Sequence, residues 1–483
     1  MEVWSKGFDE GNSASEAPFA VACDASGSLY TAGMKFSVAL EEDLLAMKWD
    51  RNGNVLWSRT FDGGKRAYGQ GVAVDLSGSV YASGWSHNGA NYDMLLVKYD
   101  GEGRELWTRS FNGGTHEQAY GVAVDPSGSV YVTGYTQTGT GGNVDVWLTL
   151  KYAQDGTLMW SRTFGKHWQY NRADCVVADS SGYVHVAGYC RGIGTYEDPW
   201  LLTMDAAGNE VVSMSITVVS GSGIYPGGIA VNASGTVFIA GQAAVTANND
   251  YFIVEATPPA FGMGGLVYYD AGGFDSARGV AADDLGNRYV TGMITNAATG
   301  GPDWLTIKYD RFRNIVWTVT YNGGGTDYGN AVVLDPFGDL VVAGQSHVGC
   351  CDEVRIVKYH METYTPGGGG STGTTDSGGG TAVTVEPGKM KVAPNVMDLS
   401  AAGAKVTFHL RGDPGGTAEV RIYSSAQRLM GTLSVQLDSS GAGQADYPKD
   451  GVGGRRPGPG SYYAVASGGG VKSTKPFFVV MRR

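Results

Sequence analysis

The chain lacks most of what would mark a membrane-spanning, disulfide-stapled or nucleic-acid-binding protein. No run of about 18 apolar residues occurs, so no segment suits a transmembrane helix. Its five cysteines, Cys23, Cys175, Cys190, Cys350 and Cys351, are too few and too irregular for a disulfide framework or a zinc pattern. Sixteen prolines in 483 residues, about 3% against a usual ~5%, exclude a proline-rich or collagen-like chain. Lysine and arginine (35) are outnumbered by aspartate and glutamate (47), giving a net charge of −12, and basic residues do not gather beyond pairs such as Arg455-Arg456. Nucleic acid is therefore not an expected partner. Met1-Glu2 opens directly onto a strand-like Val3 to Phe8, with no basic n-region or apolar h-region, so no signal peptide is read in this sequence. Nothing in it calls for a cofactor.

Glycine, by contrast, is in excess: 76 residues, about 16% against ~7% on average. With 42% apolar and 11% aromatic residues the chain can still bury a core. Its length suits two or three domains, or fewer if one is a large β architecture.

The glycines belong to a repeat. Val72-Ala73-Val74-Asp75-Leu76-Ser77-Gly78-Ser79-Val80-Tyr81-Ala82-Ser83-Gly84 recurs as Val122 to Gly134, and more loosely around Asp24, Asp179, Asn232, Asp283 and Asp335. These seven copies are spaced by 51, 50, 54, 53, 51 and 52 residues, room for four short strands and their turns. Period-two alternation marks the strands. Strand a is Gly-Val-Ala-Val-Asp; after the Asp-x-Ser-Gly turn comes strand b, Val-Tyr-x-x-Gly. Strand c begins near an Asp, as in Asp93 to Tyr99, and an Asp-x-x-Gly turn (Asp100 to Gly103) leads to strand d, Leu106 to Phe111. The last copy stops after its strand c at Val357-Lys358-Tyr359, while the chain begins with an unpartnered strand d, Trp4 to Phe8. Seven a, b and c strands then meet seven d strands. The expected fold is all-β: a seven-bladed β-propeller over 1–364, in which the N-terminal strand completes the last blade and so closes the ring.

The motif Gly-Val-Ala-Val-Asp-x-Ser-Gly-x-Val-Tyr-x-x-Gly, followed by Lys-Tyr-Asp-x-x-Gly-x-x-x-Trp, resembles the bacterial β-propeller repeat family often called SBBP. The resemblance implies a seven-bladed propeller, typically of exported or surface proteins, hence an extracellular or cell-surface location, in a family without one assigned activity. The Asp-x-x-Gly-x-x-x-Trp element also looks like the tryptophan-docking repeat of PQQ-dependent dehydrogenases, but blade number and the Asp-x-Ser-Gly turn argue against that family.

Residues 365–389 are Gly/Ser/Thr-rich and read as a tether. Residues 390–483 alternate as half-buried strands between Gly/Pro/Asp turns and suit a small β-sandwich. Ala393-Pro394-Asn395-Val396, Glu419 to Met430, Gly460-Ser461-Tyr462-Tyr463 and the apolar Phe477 to Val480 resemble the Ig-like domain of flagellar hook-capping type. That resemblance implies a C-terminal domain of secreted bacterial proteins, in some a sorting signal read by the secretion machinery.

In a repeat protein, a residue present in most blades is architecture and one present in a single blade needs another account. By that test the Asp-x-Ser-Gly and Asp-x-x-Gly turns are structural, and so is the Asp near the start of strand c (Asp43, Asp93, Asp145, Asp198, Asp250, Asp303, Asp352). Nine of eleven tryptophans hold repeat positions on strands c and d, as core or inter-blade packing. The two others, Trp85 and Trp168, fall in b-to-c and d-to-a loops, which emerge on one face. His87, His116 and His167 fall there too, with Tyr92, Glu117, Tyr135, Tyr170, Arg172, Tyr189, Arg191 and Tyr196. After the closing Gly of strand b, blades two to four carry Trp85, Tyr135 and Tyr189 where the others carry Met34, Gln242, Met293 and Gln345. Aromatic platforms with a few polar groups suit a glycan, a peptide or a protein ligand, so the expected function is a non-enzymatic binding or scaffold role. The competing classes are a secreted enzyme, whether lyase, hydrolase or PQQ-type oxidoreductase, and a purely structural surface-assembly part. Two cysteine pairs remain. Cys350-Cys351 is a vicinal pair, either disulfide or thiols. A hairpin turning at Asp179 to Gly182 sets Cys175 near Val186, about four residues from Cys190 and too far for a disulfide.

Overall fold

A computed structural model describes residues 2–9, 15–36, 42–63, 65–138, 144–165, 170–191, 197–216, 224–244, 249–257, 262–295, 301–348 and 351–360, then 389–393, 396–398, 405–411, 413–424, 429–440, 442–448, 460–468 and 471–480. The chain divides into two compact units, 1–364 and 365–483.

Unit one is seven four-stranded antiparallel sheets, six built from consecutive strands. Blade two is typical: a (Ala67–Val74), b (Val80–His87), c (Tyr92–Tyr99), d (Glu105–Phe111). Blade seven takes a, b and c from Asp327–Leu334, Leu340–Val348 and Cys351–Tyr359, and its outer strand from Glu2–Phe8 at the other end of the chain. Trp4 there lies opposite Lys358 and Phe8 opposite Val354. Each strand a touches strand a of the blades on both sides, and that of blade seven touches that of blade one (Glu16–Cys23), so the a strands form a closed inner ring. The seven-bladed propeller closed by its N-terminal strand is thus the observed fold.

The Asp turn shows why the repeat folds as it does. Asp75 Oδ1 accepts the amides of Ser77 and Ser79, both at 2.9 Å, which fixes the reversal. Gly78 follows at φ +83°, where a side chain would be strained. The Tyr81 hydroxyl donates to Asp75 Oδ2 at 3.0 Å, and Tyr30, Tyr131 and Tyr289 do the same to Asp24, Asp125 and Asp283. Three blades solve the same problem differently. In blade four His185 replaces the tyrosine, its Nε2 3.4 Å from Asp179. In blade seven Lys358 Nζ reaches Asp335 at 2.6 Å. In blade five both partners change, to Asn232 and Phe238, so charge and hydroxyl disappear together.

Blades are clamped to one another on the opposite edge. Trp57 Nε1 and Lys48 Nζ donate to the Gly101 carbonyl (3.1 and 3.0 Å), and Arg59 Nε to that of Gly103 (2.6 Å), all in the c-to-d turn of blade two. Blades two and three repeat the clamp with Trp107, Lys98 and Arg109, then with Trp160, Lys151 and Arg162. Trp49, Trp147 and Trp304 on strands c are fully buried. The repeat tryptophans are therefore core and inter-blade packing.

Unit two contains a three-stranded sheet, with Lys405–Arg411 between Lys389–Ala393 and Ala442–Pro448, and a five-stranded sheet of Val396–Asp398, Val471–Val480, Gly460–Gly468, Thr417–Ser424 and Leu429–Gln436. Phe408 and Leu410 are buried on the first, Val420, Ile422 and Val435 on the second.

The cysteine register is resolved for one pair. The blade-four turn runs from Asp179 to Tyr183, one residue longer than read, so Cys175 lies opposite Ala187 and Cys190 opposite Asn171. The Cys175 thiol faces the Ala187 carbonyl at 3.7 Å. Cys350 lies outside the described residues.

Candidate functional site

Strand a starts on the face that carries the d-to-a and b-to-c loops, and in every blade its fourth residue is bulged. The a–b register slips between residues three and five seven times over: Pro18/Ala20, Gly69/Gly71, Ala119/Gly121, Ala173/Cys175, Pro226/Gly228, Ala277/Gly279 and Gly329/Ala331. A bulge re-aims a side chain. The seven bulged residues are Phe19, Gln70, Tyr120, Asp174, Gly227, Arg278 and Asn330. Their chemistry shares nothing, while the positions around them repeat. Two of them link neighbouring inner strands: Arg278 Nη1 donates to Asn330 Oδ1 at 2.7 Å, and Asn330 Nδ2 to the Pro18 carbonyl at 2.8 Å.

Two residues earlier on strand a stand Tyr68, Gln118, Arg172, Tyr225 and Tyr328 in blades two, three, four, five and seven. They pair across the sheet with the residue after the closing Gly of strand b: Tyr68 with Trp85, Gln118 with Tyr135, Arg172 with Tyr189. Around blades one to five this builds a nearly continuous row. Phe19 stacks on Tyr68 (centroids 5.4 Å), and Tyr68 on Trp85 (4.8 Å, planes 3° apart). Tyr92 meets Trp85 at 4.9 Å, His87 at 5.1 Å and His116 at 5.6 Å. Tyr120 stacks with Tyr135, and the Arg172 guanidinium lies 4.6 Å from the Tyr120 ring and 5.2 Å from that of Tyr189, which meets Tyr225 at 5.2 Å.

Among the described residues Asp174 is the one carboxylate on this row. Its side chain is only 9% exposed, and Oδ1 accepts from Arg172 Nε at 2.6 Å. Burial pushes it up to about 6 against the pull of Arg172. Arg172 is held charged: burial works against it, but Asp174 and the two phenols more than offset that. Burial likewise raises Tyr68 and Tyr189 to about 12.

The structure brings Trp85, His87, Tyr92 and His116 together about the Tyr92 ring, and joins Tyr135, Arg172 and Tyr189 through Tyr120. Arg191 sits over the exposed Tyr170, 5.6 Å from its ring. His167, Trp168 and Tyr196 lie outside the described residues. Two corrections apply. Trp85 and His87 are on strand b, not in a loop, because b stays paired with c as far as His87 opposite Tyr92. Glu117 is fully buried as the first residue of strand a, with Oε1 accepting from the Thr115 and Thr136 hydroxyls, so it belongs to the seam between blades and not to the surface. His116 beside it faces Tyr92 instead. The bulge residues Phe19, Tyr120, Asp174, Arg278 and Asn330 escaped sequence reading. The signal was present: aligned on the Asp turns, theirs is the strand-a column in which the seven copies agree least.

Residues 112–139 match the family described as Beta-propeller repeat, SBBP. No curated protein matches the chain. Among solved structures it is similar to a gluconolactonase from Xanthomonas campestris (10% identity, 74% of this chain and 100% of that one, TM-score 0.37). It is also similar to PorZ, a surface component of the type-IX secretion system of Porphyromonas gingivalis (12%, 94% and 58%, 0.42), and to the polysaccharide lyase Uly1 (10%, 71% and 90%, 0.47). The chain spans 58% of PorZ. At these identities the likeness is one of fold. No helix among the described residues is long and apolar enough to cross a membrane.

Proposed function

We propose that the chain is an extracellular or cell-surface ligand-binding propeller whose site is the rim formed by the first residues of the inner strands in blades one to five. The observation that carries this is the contrast within the repeat: the Asp/Asn turn recurs in all seven blades and the Trp/Lys/Arg clamp in three, yet at the rim the blades diverge into a row of aromatics around one guanidinium and one carboxylate. The aromatic faces are largely spent on one another, so a ligand meets ring edges, phenol hydroxyls and the Arg172–Asp174 pair. That mixture suits a hydroxyl-rich glycan or a peptide. The unit beyond the Gly/Ser/Thr-rich stretch we read as an Ig-like sandwich of hook-capping type, a reading supported by its contacting three- and five-stranded sheets.

A second reading, a lyase or hydrolase at the same rim, is favoured by Asp174. A carboxyl that titrates near 6 beside an arginine and two tyrosines is placed for proton transfer near neutral pH. One experiment serves both readings: purified full-length protein on a glycan array, followed by incubation with whatever it retains and analysis of the products. Binding is expected to fall at least about tenfold in Trp85→Ala and in Arg172→Ala, about 1.4 kcal/mol. Product formation abolished by Asp174→Asn, with retention intact, would select the enzyme. Wild-type retention in both alanine variants would refute the rim.

A further inference from the structure

An Asp stands near the start of strand c in every blade, and the first residue of strand a in the next blade is acidic at four seams, as Glu16, Glu117, Asp275 and Asp327. Two of these seams show a donor on each carboxylate, although Glu117 Oε2 and Asp327 Oδ1 stay buried without one. Between blades two and three, Asp93 accepts from Asn88 Nδ2 (2.9 Å) while Glu117 accepts from two threonine hydroxyls. Between blades six and seven, the loop residue Asn322 donates to Asp303 at 3.0 Å, and the Gly323 amide to Asp327 at 2.7 Å.

Between blades five and six the corresponding loop residue is Asp270. In the position where Asn322 donates, this seam has a third acceptor. A carboxylate oxygen from each of Asp250, Asp270 and Asp275 lies within 4.8 Å of the other two. Asp250 is 2% exposed and Asp275 not at all, and the Oδ1 atom of each is buried with no hydrogen-bond donor. The Ala271 amide reaches Asp275 Oδ2 (2.6 Å) and the Gly272 amide Asp270 Oδ1 (2.6 Å), which leaves the rest of the charge unanswered. The arginines of this seam, Arg288 and Arg313, are both engaged by Glu255. Two buried carboxylates without a counter-ion are costly in any folded protein, commonly by several kcal/mol.

We propose that Asp250, Asp270 and Asp275 bind a calcium ion that fastens blade five to blade six. All the donors are hard oxygens, with no nitrogen or sulfur, and irregular all-oxygen sites suit calcium better than the stricter octahedron of magnesium or the softer demands of zinc. Asp270 is exposed and gives the ion its way in, while the two buried carboxylates hold it.

The test uses the full chain freed of metal with EDTA, followed by calorimetric titration and thermal melts with calcium chloride. One calcium per chain is expected, with an affinity in the range of extracellular modules, roughly 0.1–1 mM. Saturation should raise the melting temperature of the propeller by at least about 2 °C. Asp270→Asn, which copies the donor of the six–seven seam, is expected to match or exceed the parent without calcium, since it removes a like charge, and to lose the calcium response; Asp250→Asn should behave likewise. No response of the parent to calcium at about ten times that concentration would overturn the site. So would a full response retained by both variants, which would place the ion elsewhere.

Discussion

At the scale of single residues the repeat serves as its own set of controlled substitutions. The Asp turn needs one acceptor oxygen for two amides and a second satisfied by a donor six residues on, and blade five keeps the first demand while dropping the second, Asn232 Oδ1 still accepting the Ser234 and Thr236 amides with Phe238 in place of the tyrosine. Asp75 is held below the ordinary carboxylate range: burial works against this, but Ser77, the Ser79 amide, Gln154 and Tyr81 outweigh it. Tyr81→Phe strands part of a carboxylate that is only 7% exposed, and is expected to cost about 1–2 kcal/mol. The double variant Asp75→Asn with Tyr81→Phe copies blade five and should cost at least about 1 kcal/mol less than the two single changes added. Urea titration of residues 1–364 measures this. Strict additivity would show that the hydroxyl and the carboxylate do not depend on each other. Arg313 makes the converse point, since it takes φ +73° in a c-to-d turn where Gly53, Gly103, Gly156 and Gly208 sit in other blades. It keeps an ion pair to Glu255 that glycine could not make.

At the scale of elements, the strand Glu2–Phe8 does more than complete a sheet. Its Phe8 packs edge-on against Trp49 (6.3 Å) and Trp4 lies over the Gly53 turn, so the strand fastens blade seven to blade one as well as filling it. Deleting residues 1–9 bares the edge of Cys351–Tyr359 and removes two large aromatics, each worth about 3 kcal/mol or more when lost from a packed site. The melting temperature of the propeller should fall by roughly 10 °C or more, with aggregation on heating, and appending residues 1–9 after His360 should restore it. A truncated protein that melts like the parent would mean that the ring does not depend on its closure. This closure was legible from the chain, because a strand-d sequence at the start and a missing strand d at the end leave one assignment. The rim was legible only in part. Trp85, Tyr135 and Tyr189 stand out because their column is regular elsewhere, whereas a bulge breaks the period-two alternation by which strand faces are read. Phe19, Tyr120 and Asp174 therefore looked like in-register strand residues. Asp250 was misled by its own recurrence: an Asp shared by seven blades reads as architecture until Asp270, a residue of one loop, changes what surrounds it.

At the scale of the molecule, ring and second unit follow different rules. In an open array of repeats each end unravels separately, but here every inner strand has a neighbour on both sides and the outermost edges are short. Residues 1–364 should accordingly unfold in one cooperative transition in spite of being built from seven similar parts. The second unit has its own buried set, Phe408, Leu410, Val420 and Ile422 among them, and is joined through sequence whose composition is that of a flexible tether. Units joined by such a tether are expected to melt independently. Calorimetry of the full chain should therefore show two transitions, and residues 1–364 alone should keep the propeller transition within about 2 °C of its value in the full chain, a shift that corresponds to less than about 1 kcal/mol. A larger displacement would show that residues 365–483 brace the ring. Binding at the rim would then have to be measured on the full chain alone, because the first residues of the inner strands are placed by the same closed ring whose stability had changed.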